Sequence, residues 1–594
     1  MLPLVYSRTL GNYQTKKSSQ GMHNPKETKT KMNTSKREFL KKLGALGAGT
    51  GLFAASPLAS CSSPKPESSI GNGEPKDKFK VTFLQTTDVH CQIHPHDELY
   101  WEDGQAVFRK AGGYANLHTF IQEERAKAEY SLLMDTGDMF QGSMLSVKTE
   151  GKAIVPILNA MSYDLYLPGN WEVVYNKGPM QQLMGALHGN KVCANMYHDL
   201  GDGKRGELIF PPYYIWQVNG VKFGFVGYND HLVPKRQSPG YSEGIIFTKP
   251  EENLAHYVDV LRNQEQCAFV GILSHTGLSQ EIALSNHPAC EGVDYIFGAD
   301  THERVRRPIQ GKYAKVVQPG AFGSFLGKLV LEVDKGKVVS DEYALLDVPA
   351  DDIKGSPRIA NIIEEVEAPF KEDINTVVGY STVPLYRYFV IENPIDTMVT
   401  DALRYNMPDI DIVLSNGFRF CPPLVTPDET GNIPITRGFI YDMLPVDSIV
   451  RKGEVTGQQL WNWMENELNN VFAEDASKRF GGWVIKFNGM EVRFHAFGDE
   501  GKRVDSMTIK GQPLDMNKIY SISACEREGD PEDVVCRMNN VKNVQNLDLT
   551  LHDVMLNYLR ENSPVTPTPR GAAVALDAPA TLLTQVSGVD YEFR

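Results

Sequence analysis

The stretch VTFLQTTDVH, Val81 to His90, decides the reading of this chain: an apolar run suited to a buried strand ends abruptly in Asp88 and His90. The same change of character recurs four times. YSLLMDTGD ends on Asp138, LYLPGN on Asn170, FVGILSHTG follows its strand with His275, and YIFGADTH closes on Asp300 and His302. Strands that feed polar turns in this way open on one rim of a sheet, where α/β folds place their ligands. Carboxylate, imidazole and amide groups converging there are the ligand set of a pair of divalent cations. His94 and His96 follow closely enough to reach the same cleft, or lie solvated in the loop.

Between these strands, YANLHTFIQEERAKA and PEENLAHYVDVLRNQ carry apolar residues at helical spacing, so residues 79–348 read as an α/β domain of mixed sheets covered by helices. Residues 349–375, with IANIIEEVEAPFKEDIN, read as a charged interdomain helix and linker. A second, smaller α/β domain is expected over 376–562, containing the amphipathic stretch IDTMVTDALRYN, the strand IDIVLSN, and a helix whose core face carries Trp461, Trp463 and Met464. Residues 563–594 read as a tail strapped across the surface or left unstructured.

At 594 residues the chain exceeds what one core supports. A formal net charge of -14 argues against a general grip on large nucleic acids, which takes a basic stripe. Residues 1–31 are polar and carry no element, and are not expected in the mature protein. From Met32 a basic SKREFLKK, an apolar LGALGAGTGLFAA and the lipobox Leu58-Ala59-Ser60-Cys61 read as a signal peptide over 32–61. Cys61 would then be lipidated and followed by a flexible tether over 62–78. This predicts an exported chain, lipid-anchored in the cell envelope and facing the periplasm or the cell surface. The seven remaining cysteines are odd in number and lack CxxC spacing, which argues against a disulfide framework or a zinc ribbon. Cys193, Cys267 and Cys421 read as core residues.

The order of the five clusters resembles the calcineurin-like metallophosphoesterases, and within them the 5'-nucleotidase family. The resemblance implies a four-layer metallophosphoesterase sandwich followed by a 5'-nucleotidase C-terminal-like domain, and hydrolysis of phosphoesters, nucleotides above all, of the 5'-nucleotidase or 2',3'-cyclic phosphodiesterase type. Asp138 can bridge two cations roughly 3.5 to 4 Å apart. Asp88, His90 and His302 would complete one site, and Asn170, His275 and Asp300 the other, with a metal-bridging hydroxide attacking in line. Manganese is the first expectation for the metal, with zinc, magnesium or calcium as alternatives. In the second domain the resemblance implies substrate contacts from Asn393, Arg404, Asn416, Gly417 and Arg419, the last a guanidinium suited to bidentate oxyanion binding.

Three positions depart from the family pattern. Trp171 stands where the family has a histidine in G-N-H-(D/E), and an indole donates one hydrogen bond but neither takes up a proton nor carries charge. With Asp138 and Glu172 it makes up the expected catalytic set. Asp300 replaces a second histidine, adding negative charge and favouring a harder metal such as manganese. Val446 lies in Pro445-Val446-Asp447-Ser448, where the family stacks a phenylalanine on the base, and it lacks the flat face that stacking needs. The strings Gly169-Asn170-Trp171-Glu172, Asp88-Val89-His90-Cys91-Gln92 with Pro95 soon after, and Phe322-Gly323-Ser324-Phe325 resemble the thiosulfohydrolase branch, which implies sulfate release from a thiosulfonate on the cysteine of a carrier protein. A lipid-anchored binding protein without turnover is the third reading.

Overall fold

The computed structural model describes residues 76–415, 421–480 and 482–583. The expected signal peptide, Cys61, Asn416, Gly417 and Arg419 lie outside them.

Two six-stranded sheets form the first domain. One runs in the order Lys337–Asp347, Phe325–Asp334, Lys78–Thr86, Tyr130–Asp135, Leu165–Tyr166, Asn190–Lys191. The other runs Ile309–Gln310, Lys315–Val317, Tyr295–Phe297, Phe269–His275, Val221–Asn229, Tyr213–Val218. Alternating burial on Phe325–Asp334 and near-complete burial of Phe269–His275 match an edge-side strand and a central one. The sheets meet through an aromatic seam. Phe83 reaches across to Trp216, Phe223, Phe225, Phe269 and Phe297 with ring centroids 5.1 to 6.3 Å apart, mostly edge to face. Helices Tyr114–Lys127 and Val155–Met161 cover the first sheet, and Leu254–Asp259 and Leu278–Ser285 the second, giving four layers.

Register places the ligand loops together. Thr86 pairs in parallel with Asp135, Asn229 with His275, and Leu273 with Phe297, so the chain leaves these strands in one direction at one level. The turns that follow carry Asp88, Asp138 and Asp300, and His275 ends its own strand at the same level.

Helix Pro357–Glu367 corrects the expectation of an interdomain helix. Its apolar face buries Ile359 and Ile363 on the helices Tyr114–Lys127 and Val155–Met161, so it completes the outer layer of the first domain. The short helix Lys371–Ile374 after it meets the second domain, where Asp373 pairs with Arg437 at 2.6 Å.

The second domain is built on a five-stranded sheet in the order Lys486–Asn488, Ile412–Ser415, Ile519–Cys525, Ile449–Thr456, Lys542–Thr550. Helix Gly457–Phe472, started by a Thr456–Gln459 capping box, packs on one face with Trp463 and Met464 buried. Helices Pro394–Asn406 and Leu551–Asn562 pack with each other on the other face. The tail is more than a surface strap. Ala573–Ala575 adds a parallel strand beside Met490–Phe494, and Glu392 accepts the N–H groups of Gly571, Ala572 and Ala573. The seven cysteines among the described residues are unpaired, with Cys193, Cys267 and Cys421 buried.

Candidate metal centre and cleft

Asp88, His90, Asp138, His275 and His302 converge at the shared rim of the two sheets. Their ligand atoms form two groups, Asp88 with His90 and His302, and Asp88 with Asp138 and His275. Asp88 Oδ1 lies 3.8 Å from Nε2 of both His90 and His275 and 3.4 Å from that of His302. Asp138 Oδ2 lies 3.6 Å from His90 Nε2 and 3.2 Å from His275 Nε2. Asp88 therefore belongs to both groups and Asp138 to one, although it also comes within 3.6 Å of His90, so Asp138 is not the sole bridging candidate that the sequence suggested.

The turns hold an unusual backbone. Asp88, His90, Asp138, Asp300 and His302 all have positive φ, between 48° and 73°. Asp and His enter the left-handed region more readily than most residues. Gly169 sits where a Cβ would come within 2.3 Å of Asp138 Oδ1 and 2.7 Å of the His275 ring, so only glycine lets the Asn170 loop approach.

Imidazole orientation is set from behind. His90 Nδ1 faces the Gln141 carbonyl at 2.9 Å, and His275 Nδ1 the Thr136 carbonyl at 2.6 Å, so each turns Nε2 toward the carboxylates. Glu172 has a related task. Its carboxylate accepts the backbone N–H of Asp138 at 2.9 Å, of Met139 at 2.6 Å, of Phe140 at 3.3 Å, and of Gly169. It lies behind the loop and contacts backbone only in these bonds, so the catalytic role read from the sequence is corrected to a positioning one.

The charges of the centre depend on one another. Burial opposes ionisation of Asp88, yet His275 and His302 hold its carboxyl below the usual range. Burial likewise works against a charged His275, but Asp138 and Asp88 push it well above the ordinary imidazole value. Burial and the neighbouring Asp138 push Glu172 up to about 7. Asp88 Oδ1 and His275 Nε2 are both buried with only ion-pair contacts, 3.4 Å to His302 and 3.2 Å to Asp138, in place of well-formed hydrogen bonds. Buried polar atoms are rarely left so. Carboxylate and imidazole donors aimed at one spot with such atoms fit divalent cations, for which Asp88, His90, Asp138, His275 and His302 are the candidate ligands.

Asn170 and Asp300 behave differently. Asn170 Nδ2 donates to Asp300 Oδ1 at 2.6 Å, and Asp300 Oδ2 lies 3.4 Å from Arg236 Nη1. Asp300 thus falls in neither three-residue group, because an arginine already answers its charge. His94 pairs with Glu367 at 2.9 Å, and His96 faces the Phe322 and Asp97 carbonyls, so neither joins the centre.

A cleft of about 700 Å³ between the domains borders this centre, its wall including Trp171 and Gln141, which bond to Asp138 and His90, together with Arg236 and Gln237. The Trp171 backbone N–H donates to Asp138 Oδ1 at 2.8 Å, and its indole forms part of the wall. Val446 lines the far side, as expected of the altered clamp. Phe480 of the second domain supplies an aromatic face in the same cleft, with the Arg537 guanidinium 5.9 Å from its ring centre. The domains touch around the cleft: Gln141 Nε2 donates to the Pro445 carbonyl at 3.0 Å, and Ser238 Oγ to that of Glu528 at 2.6 Å.

Two residues expected to bind substrate have other work. Arg404 donates to the carbonyls of Met407, Ile410, Asp411 and Asn488, tying the end of its helix to the sheet. Asn393 is fully buried and exchanges hydrogen bonds with the Phe389 backbone at 2.7 and 2.8 Å, closing a tight turn. Neither lines the cleft. Conversely, Asn229, Asp230, Arg236 and Gln237 escaped sequence reading, although VKFGFVGYND ends a buried strand in polar residues just as the other five stretches do.

Residues 81–304 match the model of the calcineurin-like phosphoesterases, and residues 377–524 that of the 5'-nucleotidase C-terminal domain. A 5'-nucleotidase of Diplobatis ommata is 25% identical over 558 residues, covering 86% of this chain and 92% of its own. Among solved structures, the sulfate thiohydrolase SoxB of Thermus thermophilus superposes with a TM-score of 0.75 at 22% identity, covering 85% of this chain and 98% of its own. A 5'-nucleotidase precursor of the same organism gives 0.71 at 20%, covering 84% and 100%. Both show the fold alone. With a calcineurin-like domain carrying the ligand clusters and a 5'-nucleotidase C-terminal domain closing the cleft, the chain belongs to the 5'-nucleotidase family of calcineurin-like metallophosphoesterases, metal-dependent hydrolases of phosphoesters.

Proposed function

We propose that this hydrolase works with two divalent cations, manganese first among them, on small phosphoesters of the nucleotide class. The observation that carries the reading is the pair of ligand groups sharing Asp88, next to a cleft large enough for a nucleoside whose wall residues Trp171 and Gln141 bond directly to Asp138 and His90. When bound, such a pair supplies Lewis acidity toward a tetrahedral anion and a nucleophile from water at neutral pH.

The chain's own residues do the rest. Glu172 holds the Asp138 and Gly169 loops at one separation, and the Gln141 and Thr136 carbonyls fix two imidazoles in the tautomer that presents Nε2. Trp171 excludes water beside Asp138 without delivering a proton, so the leaving group departs without help from a side chain at that position. Phe480 offers the flat face missing at Val446, which supports aromatic leaving groups without a two-sided base clamp. Export and lipidation at Cys61 belong to the same proposal and rest on the sequence.

A second reading is sulfate release from a cysteine-linked thiosulfonate on a carrier protein. Trp171 and Val446 favour it, together with the shared fold of the sulfate thiohydrolase. Wild type and Trp171→His, assayed with manganese against nucleoside monophosphates, a 2',3'-cyclic nucleotide, an aryl phosphate and a cysteine S-thiosulfonate peptide, separate the two. Phosphoester turnover by wild type, rising on Trp171→His toward the roughly 10²- to 10⁴-fold value of a general acid, is expected. Sulfate release with no phosphoester turnover would replace the first reading by the second.

A further inference from the structure

We propose that Gln141 is a positioning residue that ties the seating of the second domain to the His90 side of the metal centre, so that metal binding and domain docking strengthen each other. The inference goes beyond the hydrolase reading but rests on its metal centre.

Gln141 is buried, and three of its polar atoms are engaged in three directions. Its main-chain carbonyl accepts from His90 Nδ1 at 2.9 Å. Its Nε2 donates to the Pro445 carbonyl of the second domain at 3.0 Å, and its Oε1 accepts from the Tyr175 hydroxyl at 3.0 Å. The amide cannot be reversed, because the Pro445 carbonyl only accepts and must face the NH₂ group. One residue thus spans from a candidate ligand to the neighbouring domain.

Both ends of this span are stiff. At the ligand end, the His90 N–H donates to the Asp138 carbonyl at 3.0 Å, Cys91 Sγ to that of Met139 at 3.0 Å, and Gln92 Nε2 to that of Gly142 at 3.2 Å. A Cβ on Gly142 would come within 2.5 Å of the His90 carbonyl oxygen, so the two segments lie in contact without slack. At the far end, the loop that bears Pro445 is held by its own domain. Arg387 donates to the Met443 carbonyl at 2.9 Å, and His552 Nε2 to that of Leu444 at 2.7 Å. The N–H groups of Leu551 and His552 reach the Ser448 carbonyl at 2.9 Å and the Asp447 carboxylate at 3.0 Å. Pro445 therefore moves with the second domain. Close-packed segments transmit such a displacement and do not absorb it.

His90 offers Nε2 to a cation only while Nδ1 keeps its proton on the Gln141 carbonyl. When the second domain leaves its seat, Gln141 loses the bond to Pro445, and the carbonyl that orients His90 loses a restraint. The reverse follows by linkage: a cation that fixes His90 favours the seated domain by the same factor. Pro445, Val446, Asp447 and Ser448 also line the cleft, so the span runs from the cleft wall to the ligand. The bond from Ser238 Oγ to the Glu528 carbonyl, at 2.6 Å, joins the same two domains without passing through a candidate ligand, and serves as the control.

Manganese binding to the full chain by calorimetry, together with hydrogen exchange at Val446, Asp447 and Ser448 with and without manganese, tests the proposal. In wild type, manganese should slow exchange in this loop by about fivefold or more. Gln141→Met keeps the length of the side chain but loses the donor to Pro445, and should bind manganese about tenfold more weakly and lose the slowing. Ser238→Ala should stay within about twofold of wild type in manganese affinity and keep the slowing. Wild-type affinity in Gln141→Met or no slowing in wild type would overturn the role. So would an equal loss in Ser238→Ala, which would show general loosening of the domains. If Gln141→Met does not fold, Tyr175→Phe, which removes only the hydroxyl that holds Oε1, should weaken manganese about threefold or more, and unchanged affinity there overturns the role as well. Failure of manganese to bind wild type removes the metal reading and this inference with it, whereas tight binding that ignores Gln141 removes the inference alone.

Discussion

Glu172→Gln separates positioning from catalysis at the centre. Each carboxylate oxygen of Glu172 serves two backbone N–H groups, Oε2 those of Asp138 and Gly169, Oε1 those of Met139 and Phe140. Glutamine has one acceptor oxygen, so two of the four N–H groups lose their partner and face an NH₂ instead. Hydrogen bonds to a charged group contribute about 1.5 to 3 kcal/mol each, and relief from burying a charge returns part of that, so the loops should lose about 3 kcal/mol of local stability. At about 1.4 kcal/mol per tenfold, their opening equilibrium rises somewhat more than 100-fold. Hydrogen exchange read at Asp138, Met139, Phe140 and Gly169 measures this directly, and protection elsewhere in the domain serves as the internal reference. Metal affinity and turnover should fall together with protection. Turnover that collapses while these amides keep wild-type exchange would refute the argument and return Glu172 to the reacting atoms.

Because Asp88 belongs to both ligand groups and Asp138 to one, Asp88→Asn should lose both cations and Asp138→Asn should keep one, by elemental analysis of the purified chain; equal metal content in the two variants would contradict the asymmetry. Lys486 is buried and donates to the carbonyls of Val390 and Ile391, and burial pushes its pKa from 10.5 down to about 8. Below that value the folded state must bury a charge that the unfolded chain keeps solvated, so stability should rise by about 3 kcal/mol as pH goes from about 8 to 10.5. Lys486→Met should lack this rise, and identical pH slopes of denaturant unfolding in the two proteins would count against it. Cys61→Ser should move the protein from the membrane to the soluble fraction; unchanged fractionation would show that the lipobox reading is mistaken.

Much of the first domain was legible because its strands are apolar on both faces and stop sharply at polar turns, a pattern that survives without any knowledge of pairing. The five ligand residues now gathered at the rim were found that way. The sixth turn, at Asn229 and Asp230, has the same form, but its side chains serve the scaffold and the cleft wall, and nothing local distinguishes a ligand from a residue that holds one. Arg404 and Asn393 were placed by analogy. Backbone carbonyls claim both, a demand visible only when helix ends and turns are assembled. Phe480 could not be foreseen as part of the cleft because it lies outside any regular element and reaches the site by the packing of one domain on the other.

The left-handed backbone at the ligand turns also decides which residues can be exchanged over evolutionary time. At positive φ glycine, asparagine, aspartate and histidine are the most readily accommodated, three of them metal ligands and one a deletion. Asp300 obeys that short alphabet: with φ of 73° it can stand in for a histidine without moving the main chain. Trp171, the first residue of the 3₁₀ turn Trp171–Tyr175, is free of the restriction, and a bulky indole entered there at no conformational cost. Change at the left-handed ligand turns is therefore biased toward swaps among a few donors, while the ordinary positions beside them carry no such bias.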